Sequence, residues 1–276
     1  MSAPEAGTEQ AKTCSPEFWD ALAPYHELIE DNYFDVRSVR LLLDAVQEPV
    51  LVVGAGQGLI VAELRSRGLR CDGLDSSPEM IRYAKLRRGI ILIQADAKAL
   101  PFTSGTYKTV IYATGVVDFM GDEEEIRTIL KEGRRLTNGA GKMFIAFYRV
   151  SDVQERFLER VGLLANHLLC HKESLELYLQ SPREMVTWVA RKAGVSPLRA
   201  VAMLLSMTAC CRPRDIRTTF RMQRIFRDPQ TAEALRKAAA PQQPYRTAVE
   251  IRNLFQRLGF PIKELRLSPS CFIVEL

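Results

Sequence analysis

Residues Val50-Leu51-Val52-Val53 run directly into Gly54-Ala55-Gly56-Gln57-Gly58, and seventeen residues later a second apolar run ends at Asp75. Four apolar residues, three of them β-branched, make a strand buried on both faces, as in a parallel sheet. Glycines at alternate positions let the backbone turn sharply and approach a ligand with no Cβ in the way. A dinucleotide fingerprint spaces its glycines G-x-G-x-x-G, but the sixth position here is Leu59 and the spacing is G-x-G-x-G, which argues against a nicotinamide dinucleotide. A carboxylate at the tip of the next strand can still accept both ribose hydroxyls of an adenosine. Asp75 stands at that place, so the segment reads as a nucleoside-cofactor pocket.

Further pieces follow in order. A third strand, Ile90 to Ile93, leads into Gln94-Ala95-Asp96-Ala97, and a fourth, Thr109 to Ala113, ends at Thr114-Gly115-Val116-Val117-Asp118. Glu125 through Met143 reads as a helix, a Gly-rich turn and a fifth strand. In this sequence of elements the chain resembles the class I S-adenosylmethionine-dependent methyltransferases over roughly residues 45 to 150 and 245 to 276. The resemblance implies that Val53, Gly54, Ala55, Gly56 and Gly58 lie under the methionine part of the cofactor. It implies that Asp75, with Ser76 and Met80, surrounds the ribose, that Asp96 accepts from the adenine amine beside the Ala97 amide, and that Thr114 opens the active-site mouth. Many members carry an acid at the third residue of the first strand, commonly to help hold the methionine ammonium, where this chain has Val52.

The expected fold is α/β: a Rossmann-like, doubly wound, mostly parallel seven-stranded sheet with its last strand antiparallel, plus an all-helical lid insertion. Strand and helix alternate through the core, giving a parallel sheet covered on both faces. Crossover helices are expected over Gln57 to Arg67, Ser77 to Lys85 and Asp122 to Leu136. Thr247 to Leu258 is an amphipathic helix stopped by Gly259. Pro261 to Leu267 and Cys271 to Leu276 then make two strands whose short connection demands an antiparallel pair.

Residues 1–14 are small and polar and are expected to be disordered. Ser15-Pro16-Glu17 starts a helix that carries Phe18, Trp19, Leu22 and Tyr25 at helical spacing, and a second helix is expected from Val36 to Val46. The core with these helices occupies 15–150 and 242–276. Between its parts, residues 151–241 form an insertion with helices expected at Asp152 to Cys170, Glu173 to Leu179, Pro182 to Ala193, Pro197 to Met207, Arg214 to Phe226 and Pro229 to Ala239. An insertion after the fifth strand has its ends at the carboxyl edge of the sheet, where ligands bind, and so reads as a lid or substrate domain.

The insertion carries 15 Lys and Arg against 9 Asp and Glu, whereas the whole chain is only +5. Arg214, Arg217, Arg221 and Arg224 recur at three and four residues on one helical face. Arg217 and Arg221 are candidates for gripping a carboxylate or phosphate on the acceptor. The same pattern suits a solvated face opposite Ile216, Phe220 and Ile225, the commoner case. No aromatic residues alternate with these arginines as a stacking platform would require, so nucleic acid is not the expected partner.

An activated sulfonium needs alignment and exclusion of water more than a catalytic triad. Should the acceptor need a base, the candidates are Asp118, Tyr148, His26 and His167, and Tyr25 could reach the acceptor from the N-terminal helix. Asp118 could equally cap the helix beginning near Asp122. His167 and His171 stand four apart beside Cys170, but one helix supplies too few ligands, and no metal is expected. Six cysteines with no C-x-x-C pair suggest reduced thiols. Cys210 and Cys211 read as small apolar side chains of a lid helix. No stretch approaches the roughly 18 apolar residues of a membrane span, and the N-terminus lacks a signal pattern, so a cytoplasmic protein is expected.

The reading is a methyltransferase that uses S-adenosyl-L-methionine to methylate a small acceptor at O, N, C or S, an anionic one if the arginine face grips it. The alternatives are an RNA or protein methyltransferase using the arginine face, a non-catalytic cofactor-binding regulator, and a nicotinamide-dependent oxidoreductase. Acceptor, acceptor atom and oligomeric state stay open.

Overall fold

The computed structural model describes residues 15–28, 36–118, 120, 122–148, 168–169, 182–210, 228–238, 243–244, 246–268 and 271–276. Strands β1 (Val50–Val53), β2 (Cys71–Asp75), β3 (Ile93–Gln94), β4 (Thr109–Tyr112), β5 (Lys142–Tyr148), β8 (Glu264–Leu267) and β9 (Cys271–Glu275) form one seven-stranded sheet in the order β3-β2-β1-β4-β5-β9-β8. The first five are parallel, and β9 runs antiparallel to both neighbours. A second, two-stranded ribbon pairs β6 (Leu168–Leu169) with β7 (Gln243–Pro244).

Successive β1 side chains enter opposite core layers. Val50 and Val52 pack with Val39, Leu42, Val61 and Leu64 on the side of α2 (Val36–Arg40) and α3 (Leu59–Ser66). Leu51 and Val53 pack with Ile126, Ile129 and Leu130 of α5 (Glu123–Leu136) and with Ile251, Leu254 and Phe255 of α9 (Ala248–Leu258). Each such side chain, removed from water, contributes about 1.5–3 kcal/mol. The central strands need apolar residues on both faces because helices cover both, and this is why β1 reads as an unbroken apolar run and β4 as Val110 to Tyr112 behind a hydrogen-bonded Thr109.

Local signals set the helix ends. In α4 (Pro78–Arg88) the Ser77 hydroxyl accepts the Met80 N–H at 3.0 Å with proline at the first helical position, and Gly89 ends the helix at φ +65°. Asp122, not Asp118, caps α5 through the Glu124 N–H. A reciprocal box between Thr247 and Glu250 opens α9, and Gly259 closes it. These caps satisfy terminal amides and carbonyls that have no partner inside the helix.

Three segments depart from the periodic reading. The N-terminal helix α1 covers only Pro16–Leu22 and tightens into a 3₁₀ segment over Ala23–Leu28, because Pro24 has no N–H for the ladder. α2 ends at Arg40, and Leu41 to Ala45 continue as turns closed by i→i−3 bonds such as Leu42 N–H to Val39 O. β3 holds only two ladder residues at the sheet edge, with Ile91 74 % exposed.

In the insertion, α6 (Pro182–Ala193), α7 (Pro197–Cys210) and α8 (Pro229–Ala238) are helical. Trp188, Val189 and Ala200 form a small core between α6 and α7. Leu168–Leu169, within a segment expected to be helical, is extended instead, pairing with the chain where it returns to the core. Among the described residues no helix is long and apolar enough to cross a membrane.

Candidate cofactor site

The turn after β1 is held by geometry that glycine alone accepts easily. Gly54, Gly56 and Gly58 have φ of +69°, +55° and +80°, a region that costs other L-residues roughly 1–2 kcal/mol. A Cβ on Gly54 would overlap the Val116 side chain, and one on Gly58 would meet Ile90 Cγ2 at 3.0 Å. The strands lock the loop: Ala55 N–H donates to Leu74 O at 2.9 Å, and Ala113 N–H to Val53 O at 3.0 Å.

Asp75 ends β2 beside this turn. Its carboxylate accepts the Gly56 N–H at 2.7 Å and the Ser77 N–H at 3.0 Å, and its residue is 8 % exposed. Burial pushes its pKa upward, opposed by the amide bonds from Ser77 and Gly56 and by the nearby His26. The amides of Ser77, Gly56 and Ser76 thus converge on a carboxylate that has about four acceptor positions. Asp96 is exposed, and its Oδ1 accepts the Lys98 N–H at 2.8 Å. Lys98 Nζ in turn bonds Glu125 Oε1 at 3.0 Å. One acid is therefore built into the fold, and the other faces open space.

A partly open cleft lies at the carboxyl edge. Its floor is the loop from Gly54 to Gln57 with Leu59 and Ile60, and its far wall is Ala113 and Thr114. Trp19 and His26 form the remaining wall. His26 Cε1 lies 3.5 Å from where a Gly56 Cβ would stand, and Trp19 Cζ2 3.0 Å from a Gly115 Cβ. Asp75, Ser76, Met80, Asp96 and Ala97 stand outside this lining, toward β3, with Met80 fully buried.

Long-range bonds hold the N-terminal wall. The Asp20 carboxylate accepts from the Ser77 hydroxyl and, at 3.1 Å, from the Glu79 N–H. Gln57, 1 % exposed, donates through Nε2 to Ala23 O and accepts from Arg87 Nη1 at 2.8 Å. Arg87 also reaches Pro24 O at 2.9 Å. The Tyr25 hydroxyl meets Thr231 Oγ1 of α8 at 3.2 Å, so this candidate acceptor residue ties the wall to the insertion.

The candidate bases fare differently. Asp118 is 5 % exposed, and its Oδ1 accepts the Gly115 N–H at 2.6 Å, closing the turn after β4. Arg246 Nη1 donates to Asp118 O at 3.4 Å, with its guanidinium 6.0 Å from the Phe147 ring centroid. Burial pulls the pKa of Arg246 down, against the pull of Asp118, Glu250 and Glu123. The Tyr148 backbone pairs with Cys271, and its side chain lies outside the described residues. His167, Cys170, His171, Cys211, Arg217 and Arg221 lie outside them entirely. Among the described residues no cluster of His, Cys, Asp or Glu could hold a metal ion. Sequence patterns did not single out Gln57, Asp20, Arg87 or Arg246 for the site, because their partners lie 30 or more residues away.

Residues 50–141 match the family model described as a methyltransferase domain. A demethylmenaquinone methyltransferase of Corynebacterium urealyticum is 32 % identical over 117 residues, covering 42 % of this chain and 49 % of that protein. Its counterpart in Thermus thermophilus is 32 % identical over 132 residues, covering 42 % and 60 %. The chain thus spans about half the length of these relatives. A solved Rhodobacter sphaeroides structure, described as a putative Zn-dependent alcohol dehydrogenase, aligns over 94 % of this chain and 96 % of its own with a TM-score of 0.52 and 15 % identity, a likeness of fold alone. The glycine turn and the sheet order accompany a methyltransferase domain over residues 50–141, and in that part the chain is similar to the class I, Rossmann-like, S-adenosylmethionine-dependent methyltransferases.

Proposed function

We propose that the chain transfers a methyl group from S-adenosylmethionine to a small-molecule acceptor. The observation that carries this reading is the bond from Gly56 N–H to the Asp75 carboxylate at 2.7 Å, which joins the glycine turn to the acid beside a cleft at the carboxyl edge. When bound, the cofactor supplies a methyl group already activated on a positive sulfur. The protein's part is then to hold, orient and keep dry.

In this reading the backbone of Val53 to Gly58 forms the bed for the methionine end. Asp75 with Ser76 takes the ribose, Asp96 and the Ala97 amide take the adenine, and Met80 packs behind them. Thr114 stands where the acceptor enters. The aromatic and aliphatic lining of Trp19, Ala55, Leu59, Ile60 and Ala113 supports an acceptor with an apolar body. Demethylmenaquinone, named in the relatives, is the first to try. For an acceptor that carries a carboxylate or phosphate, which demethylmenaquinone does not, Arg217 and Arg221 are proposed to grip that group, and His26 is the candidate base nearest the cleft.

Isotopically labelled methyl from the cofactor, followed into demethylmenaquinone, smaller naphthols and bulk RNA, tests the proposal. Label in a small molecule supports it, and label confined to RNA or protein overturns it. Replacing Arg217 and Arg221 with Gln is expected to raise the acceptor's Michaelis constant while cofactor affinity stays put. Unchanged kinetics would return both to a solvated face.

A further inference from the structure

We propose that the Trp19 ring is the cation-recognising element of the cleft, favouring the sulfonium-bearing cofactor over its neutral thioether product. The inference rests on the cofactor reading above. S-adenosylmethionine brings a positive sulfur into a space whose lining, among the described residues, includes no carboxylate. The Val52 side chain on β1 is apolar and wholly buried. Asp75 and Asp96 stand toward the adenosine end, outside the lining. A cation entering such a cleft gives up water and needs a compensating negative surface. The face of an indole is one, and tryptophan is the strongest aromatic partner for a cation.

Trp19 has the position and the support for that work. It lines the cleft opposite the glycine turn and rests on the turn after β4, where a Cβ on Gly115 would meet its Cζ2 at 3.0 Å and its Cη2 at 3.2 Å. Phe18 meets the ring edge to face at 5.2 Å. Its helix is pinned on both sides, by Asp20 to the first turn of α4 and by Ala23 to the Gln57 side chain. A ring fixed before the ligand arrives loses little freedom on binding. Trp19 keeps its attraction at every pH.

The test is the affinity of S-adenosylmethionine and S-adenosylhomocysteine, measured by calorimetry, for the full chain and for its Trp19→Phe and Trp19→Leu variants. Trp19→Leu is expected to weaken S-adenosylmethionine about tenfold and S-adenosylhomocysteine less than about twofold, with Trp19→Phe between. Because Trp19→Leu could disturb folding, the chain is also made with mono-, di- and trifluorinated tryptophan, which keeps the ring's shape and drains its face of charge. Trp188 takes the same label but belongs to the insertion core. A stepwise loss of S-adenosylmethionine affinity with each fluorine, with S-adenosylhomocysteine unmoved, supports the proposal. Equal losses for both molecules, or none, overturn it while the cofactor reading stands. Failure of the unaltered protein to bind either molecule overturns both.

Discussion

On the β1–β2 side of the cleft the wall is backbone: three glycines at positive φ, two amides donated to Asp75, and strand carbonyls that fix the loop. On the opposite side it is side chains delivered from afar, with Trp19 and His26 arriving from the N-terminus, and Arg246 from the entry to α9 bonded to the turn beyond Thr114. The first side is specified by 26 consecutive residues, Val50 to Asp75, and the second by contacts spanning up to 128 positions. A common cofactor can be recognised by local backbone geometry. The side-chain wall, which carries the proposed Trp19 contact to the cofactor, is assembled by long-range packing and tied to the glycine loop through Gln57.

The largest expected effect attacks the backbone side. Gly54→Ala combines an unfavourable φ with overlap on Val116, and is expected to cost about 2–4 kcal/mol. Thermal unfolding should show the loss, and calorimetry should show no S-adenosylhomocysteine binding. A wild-type melt would mean that the turn can relax and that the bed is less rigid than described.

Asp75→Asn comes next, with S-adenosylhomocysteine affinity expected to fall roughly ten- to a hundredfold, the range for losing hydrogen bonds to a charged group. The same acid sets a pH dependence. Its folded pKa is raised above the ordinary 3.8 by burial, so its ionisation opposes folding. The stability it gives is full below 3.8 and is lost as pH rises through the raised value. In the proposed ribose contact, ligand affinity runs the other way, because only the ionised carboxylate offers acceptors to both hydroxyls. S-adenosylhomocysteine should therefore bind more weakly as pH falls through that window, and the Asn variant should be flat. Parallel pH profiles would remove Asp75 from the ribose site.

Gln57→Leu cuts the tie between the glycine loop and the N-terminal wall while leaving the loop glycines alone. A loss of roughly three- to tenfold in cofactor affinity, with faster release of the product in stopped flow, is expected from removing bonds of about 1 kcal/mol each. Unaltered release would show that the two sides of the cleft act independently. The smallest effect is expected from Glu123→Gln. Its ion pair with Arg257, 2.7 Å long, has side chains 45 % and 58 % exposed. Exposed pairs contribute about 0–1 kcal/mol, so melt and cofactor affinity should both stay near wild type.

What the sequence made legible follows the same division. The first strand and its glycines, the Ser77-Pro78 and Thr247 helix starts, the stop at Gly259 and the antiparallel β8–β9 pair are each encoded within a few neighbouring residues, and the fold carries them all. Pro24 was visible too, and its missing N–H explains the tightened segment after α1. Asp118 shows where local reading stops. Its spacing allows a helix cap or a base, and folding assigns its carboxylate to the Gly115 amide instead. Trp19 reads from its helical period as an ordinary core residue. Only the placement of α1 against the turns after β1 and β4 brings it to the cleft.

The most direct test of the central claim is a calorimetric titration of the intact chain with S-adenosylhomocysteine and, separately, with NAD, repeated on Asp75→Asn. One saturable site is expected for S-adenosylhomocysteine, weakened by the substitution at least about tenfold, with no heat from NAD. Binding of NAD alone, or S-adenosylhomocysteine binding indifferent to Asp75, would contradict it.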